Sequence, residues 1–172
     1  MPRTASALFL HGHADTPERL GDVASALTAR TGIRPAVPAG PLEVGDHAGR
    51  AWWGADEDGP DVRTLDRLRA DHGDIDVVLG HSQGAAVALT LGIGRRLVVI
   101  AGFLCGAPPR FDHTPDVLVL HGEADDVVDP VHARMIERRA RAAGCATTMH
   151  LHEGGHALDA RTVATALDWL EG

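Results

Sequence analysis

Four short runs of this chain are apolar almost without interruption: Ala7-Leu8-Phe9-Leu10, Ile75-Asp76-Val77-Val78-Leu79, Leu97 to Leu104 and Val117-Leu118-Val119-Leu120. A strand with one wet face alternates apolar and polar residues, so runs like these belong to strands covered on both faces. Between them the apolar residues recur at helical spacing. Leu20, Val23, Ala24 and Leu27 follow Thr16-Pro17 and stop at Gly32; Val62, Leu65 and Leu68 stop at Gly73. Further helices are expected over Gln83 to Leu91, Pro130 to Ala143 and Asp159 to Leu170. Weaker strand signals lie at Ile33 to Val37 and at Thr147 to His152, the latter alternating as an edge strand does. Strand and helix in repetition predict an α/β three-layer sandwich on a mostly parallel six-stranded sheet. Residues 1–172 are expected to form it as one domain. Residues 38–60, rich in Gly, Pro and Asp around Trp52-Trp53, read as the one long irregular stretch.

The second of these strands runs into Gly80-His81-Ser82-Gln83-Gly84. A serine hydroxyl is a poor nucleophile unless it is lifted toward a base, and a sharp strand-to-helix turn lifts it. Such a turn needs glycine on both sides, which explains the spacing. A plain helix cap is the alternative job for Ser82. In a parallel sheet, reactive residues sit in loops leaving the carboxyl ends of the strands. Those loops carry His11-Gly12-His13-Ala14-Asp15, then Ser82, then His121-Gly122-Glu123-Ala124-Asp125, and last Glu153-Gly154-Gly155-His156. A nucleophile, a carboxylate and a histidine thus follow in the chain order Ser, Asp, His.

With these motifs in this order, the chain resembles the α/β-hydrolase fold, and most closely the compact carboxylesterase/phospholipase family that includes acyl-protein thioesterases. Residues 10–16 match its Leu-His-Gly-x-x-Asp-Thr start, and residues 121–129 match its acid-bearing turn except that Asp129 stands where the family has proline. Phe103-Leu104-Cys105-Gly106-Ala107-Pro108 resembles the segment lining its acyl site. The resemblance implies a minimal hydrolase core without a cap domain. It also implies a catalytic triad of Ser82, Asp125 and His156, an oxyanion hole from the backbone N–H groups of His13 and Gln83, and no cofactor. Gly12, Trp52, Trp53, Phe103 and Leu104 are the expected substrate contacts. Asp126 and Asp129 are rivals for the acid, and His150 and His152 for the base. His11 and His81 are expected to be structural.

The implied activity is hydrolysis of a carboxylic ester or thioester of a small molecule. A non-hydrolytic cyclase, dehydratase or ligand-binding protein on the same fold is the alternative. More remote is a zinc hydrolase built on His11, His13 and Asp15; that metal box requires a further histidine where Thr16 stands, so no metal is expected. A net charge of −8 argues against nucleic acid as a partner. The chain has no run of 18 apolar residues, and its first residues lead toward a strand, so neither membrane insertion nor a signal peptide is expected. Cys105 and Cys145 form no metal or redox motif and suit a reducing cytoplasm. A monomer or homodimer is expected.

Overall fold

A computed structural model describes residues 5–45 and 48–172. The expectation about the first four residues and the absence of a leader there lies outside that range. The main sheet comprises β1 (Ala7–Leu10), β2 (Pro35–Ala36), β5 (Val77–His81), β6 (Arg96–Ile100), β7 (Asp116–Gly122) and β8 (Thr147–His152). Their spatial order is β2-β1-β5-β6-β7-β8 and every neighbouring pair is parallel.

Strand parity sorts the side chains into two cores. Leu8, Leu10, Val78, Val99, Val117 and Val119 face α2 (Val62–His72), α3 (Gln83–Leu91) and α4 (Val131–Ala142). Ala7, Phe9, Leu79, Val98, Leu118 and Leu120 face α1 (Gly21–Thr31) and α5 (Ala160–Glu171). Each helix begins or ends where local chemistry says it should. The Asp61 and Asp159 carboxylates cap α2 and α5 by accepting from the N–H of Thr64 and Thr162 at 2.7 and 2.8 Å. Gly32 closes α1 at φ 75°, a left-handed cap that suits glycine.

Four details depart from the sequence reading. β6 stops at Ile100 rather than running to Leu104, because Ala101 adopts φ 47° and turns the chain off the sheet. Phe103 and Leu104 are thereby freed for a loop. β2 spans only Pro35–Ala36, as a proline without an N–H allows at a sheet edge. Val62 is 70% exposed; it opens α2, whose inward face starts at Leu65. The stretch expected to be irregular contains an antiparallel hairpin, β3 (Leu42–Val44) with β4 (Gly49–Ala51). Its segments are too short and too polar to show a period. The hairpin leans on the loop after β1, where Arg50 N–H donates to Asp15 O at 2.8 Å. No helix among the described residues is long and apolar enough to cross a membrane.

Candidate active site

The turn between β5 and α3 holds Ser82 at φ 53° and ψ −118°, a conformation that costs a non-glycine residue about 1–3 kcal/mol. Both flanking glycines are sterically compelled. A Cβ on Gly80 would lie 2.4 Å from Gly84 O, and one on Gly84 would lie 2.1 Å from Leu10 O. The turn is pinned from the sheet, since Ser82 N–H donates to Ile100 O at 2.9 Å.

The loops after β7 and β8 meet at this serine. His156 Nδ1 lies 2.8 Å from Asp125 Oδ2, and its Nε2 lies 2.9 Å from Ser82 Oγ. A carboxylate only accepts, so Nδ1 carries the hydrogen and Nε2 is free to accept from the serine hydroxyl. Asp125 has a fully buried side chain. Burial by itself would raise its carboxyl, but hydrogen bonds from Val128 N–H, His156 and Val127 N–H outweigh it and hold Asp125 below the ordinary carboxylate range.

The rival acids and bases are engaged elsewhere or turned away. Asp129 accepts from Val131 N–H at 2.8 Å at the start of α4, and Asp126 makes no bond to His156. His152 Nδ1 accepts from Gly154 N–H at 3.1 Å, and His150 points out from the exposed side of β8.

Two further histidines brace the frame. His11 is fully buried; its Nδ1–H donates to Gly12 O at 2.8 Å and its Nε2 accepts from Gly40 N–H at 2.9 Å. Both ring nitrogens are therefore committed, and Asp15 accepts from Thr16 N–H at 2.8 Å and faces Arg19 at 3.5 Å. His11, His13 and Asp15 thus do not converge as ligands, and no group of three or more metal-ligating side chains occurs among the described residues. His81 Nε2–H donates to His156 O at 2.9 Å and so anchors the main chain of that loop. Burial pushes both His11 and His81 below the usual histidine value. A neutral His81 ring, 5.2 Å from that of His156, does not oppose a positive charge forming there.

A cleft of about 450 Å³ opens at Ser82. His13, Gln83, Trp53, Phe103 and Leu104 line it. Gln83 is the first residue of α3, and neither its N–H nor that of His13 has a partner among the described residues. Trp53 meets Phe103 edge-on at 6.0 Å across the cleft wall.

Trp52 does not line this cleft. It is buried on the other side of its strand end, with Nε1–H donating to His11 O at 2.9 Å. The Gln83 side chain grips the main chain of both tryptophans: Oε1 accepts from Trp52 N–H at 2.8 Å and Nε2–H donates to Trp53 O at 3.0 Å. Gly12 is likewise outside the cleft. It lines a second depression of about 730 Å³ that also reaches Ser82 and contains His81 and His156. There, a Cβ on Gly12 would come within 3.3 Å of His81 Nδ1 and 3.4 Å of Ser82 Cβ.

The sequence reading missed Val127, Val128 and His132 in the cleft wall. The first two directly follow the acid turn, a position that could have flagged them. His132 Nδ1 accepts from Leu104 N–H at 3.2 Å and so props the loop that carries Phe103 and Leu104. The missed anchoring role of the Gln83 side chain had a signal too: with Thr90 it is one of two polar residues on a buried, mainly apolar helix. Cys105 also borders the cleft, where burial pushes its thiol up.

Residues 1–162 match the model of the Serine hydrolase (FSH1) family. The chain is 27% identical to Esterase YpfH of Escherichia coli (strain K12), over 98% of this chain and 83% of the relative. Among solved structures it is similar to esterase PE8, with a TM-score of 0.80 and 20% identity over 98% of this chain and 92% of the other. It is also similar to Zea mays acyl-protein thioesterase 2, with a TM-score of 0.75 and 23% identity, covering 98% and 93% of the two chains.

Proposed function

This chain belongs to the Serine hydrolase (FSH1) family, and from that premise we propose that it hydrolyses a carboxylic ester or thioester of a small molecule through an acyl-enzyme on Ser82. The observation that carries the proposal is the hydrogen-bonded series from Asp125 through His156 to Ser82 at the head of a cleft. Ser82 Oγ attacks the carbonyl carbon while His156 Nε2 takes its proton. The carbonyl oxygen becomes an oxyanion held by the N–H groups of Gln83 and His13, each such donor being worth about 2.7–4 kcal/mol in the transition state. As the intermediate collapses, His156 returns the proton to the departing oxygen or sulfur. Water then attacks the acyl carbon as His156 takes its proton, and on collapse His156 returns that proton to Ser82 Oγ while the acid departs. Asp125 keeps the imidazole in the Nδ1–H tautomer and stabilises the imidazolium.

The general acid must reach the leaving atom, so the leaving group lies in the depression that contains His156 and the acyl group in the cleft beside it. The apolar part of the wall, Trp53, Phe103, Leu104, Val127 and Val128, with Glu57, Asp58 and Asp129 also on the lining and no cap above, suits short acyl groups. Nothing in the mechanism calls for a metal or cofactor, and a cytoplasmic monomer or homodimer is sufficient for it.

A fluorophosphonate tests the reading. It is expected to label Ser82 stoichiometrically, and Ser82→Ala is expected to lose up to about 10⁶ in kcat on p-nitrophenyl esters, with acetate to hexanoate preferred over palmitate. An unlabelled Ser82, or native turnover by Ser82→Ala, overturns it and favours a non-hydrolytic role for the same fold.

A further inference from the structure

His121 stands one residue from the end of β7 with its imidazole fully buried, and the reaction as described makes no use of it. Its surroundings concern Asp125. A buried carboxylate must be stabilised by N–H donors, because no water reaches it. Asp125 Oδ1 takes two of them, from Val127 at 2.9 Å and Val128 at 2.8 Å, and Oδ2 takes His156 at 2.8 Å. His121 Nε2 lies 3.2 Å from that same Oδ2, while its hydrogen bond is to Val128 O at 2.9 Å. The Val128 residue is therefore gripped at both ends: its N–H by the carboxylate and its C=O by the imidazole. The same Nε2–H group lies beside Oδ2, the carboxylate oxygen that His156 uses.

The other ring nitrogen sharpens the point. His121 Nδ1 is buried and has no hydrogen-bond partner among the described residues. An orphaned buried acceptor is destabilising, and an aliphatic side chain would fill the space without it. The imidazole is thus a costly residue here unless its Nε2–H is needed. We propose that His121 is a positioning residue: its Nε2–H latches the turn from Asp125 to Val128 so that Asp125 presents Oδ2 to His156. The inference rests on the reading of Asp125 as the carboxylate that orients His156.

A double-mutant cycle on p-nitrophenyl butyrate tests it, with His121→Leu and Asp125→Asn made singly and together. His121→Leu is expected to lower kcat about 10- to 100-fold with KM within about twofold. In the Asp125→Asn background the same change is expected to cost less than about twofold, because no carboxylate remains to be aimed. Two amides add a second readout. His121→Gln carries its nitrogen to the place of Nε2 and is expected to recover kcat to within about fivefold of the native enzyme. His121→Asn carries its nitrogen to the place of Nδ1 and is expected to recover little. A loss of equal size in both backgrounds, or equal rescue by Asn and Gln, overturns the inference and leaves His121 a packing residue. Native kcat in Asp125→Asn overturns the Asp125 assignment itself, which is a different result. If His121→Leu does not give a cooperative melt, the contrast between Gln and Asn decides the question alone.

Discussion

The turn after β1, His11-Gly12-His13-Ala14-Asp15, and the turn that begins in the last two residues of β7, His121-Gly122-Glu123-Ala124-Asp125, differ at one residue of the five. Only the second delivers its carboxylate to His156. The cause lies just downstream. Two residues after Asp125 stands Val127, whose N–H donates to Oδ1 and starts an Asx-type turn that aims Oδ2 outward from β7. Two residues after Asp15 stands Pro17, which has no N–H to give. The Asp15 carboxylate falls back on Thr16 N–H and Arg19, at the head of the 3₁₀ turn Pro17–Leu20. The histidines diverge in the same way. His11 spends both nitrogens on backbone, whereas His121 leaves one unpartnered and keeps the other beside Asp125. The first turn is a brace that offers a main-chain N–H; the second is built around a side chain.

The largest effect expected to separate the two turns is on turnover. Asp125→Asn is expected to lose on the order of 10⁴ in kcat, through the wrong histidine tautomer, while Asp15→Asn stays within about threefold because its carboxylate serves only its own turn. Steady-state kinetics on one ester decide it, and an equally crippled Asp15→Asn would break the comparison.

The glycines give the next largest difference, in stability. A Cβ on Gly122 would lie 2.2 Å from Gly154 O and 2.4 Å from Gly155 O, both backbone atoms of the loop that carries His156. Gly122→Ala is therefore expected to cost more than about 4 kcal/mol and to lower Tm by more than about 8 °C. Gly12→Ala, whose nearest neighbours would be side-chain atoms at 3.3 and 3.4 Å, is expected to melt within about 3 °C of the native protein. It should show its effect in kcat instead, since the new methyl group presses on Ser82. Thermal melts of the two variants side by side test this; equal losses would mean that the turns are docked alike.

The smallest expected effect is on acid stability. Asp125 is held below its unfolded value of about 3.9. Its stabilising contribution is complete above that value and is lost as pH falls through the lower native one. The stability difference between native protein and Asp125→Asn is therefore expected to shift against the native protein as pH falls below about 4. Urea melts across that range check the sign, and a pH-independent difference would mean that Asp125 titrates alike folded and unfolded.

Trp52 and Trp53 show how far reading along the chain reaches. Nothing in a pair of adjacent tryptophans says which one faces the cleft. The structure puts Trp53 on the cleft and leaves Trp52 off it, with the Gln83 amide, 30 residues onward from Trp53, bonded to the main chain of both. Gln83 itself was legible as part of the nucleophile turn, yet its side chain's role was not. Phe103 and Leu104 were legible as cleft residues, but only the bend at Ala101 takes them off β6 and into the cleft.

What the sequence by itself determined was whatever depends on near neighbours. The apolar runs set the strands, and helical spacing set the layers over them. The glycines around Ser82 mark the elbow: Gly80 meets the backbone of its own turn, while the demand on Gly84 comes from Leu10 at the end of β1. Only the tertiary structure shows the Asp125 carboxylate, which the resemblance already implied, meeting His156. That contact joins residues 31 apart to a serine 74 residues from the histidine. It exists because parallel strands β5, β7 and β8 end on the same edge of one sheet. Hydrogen bonds within each loop then rotate a carboxylate toward the site in one case and away from it in the other.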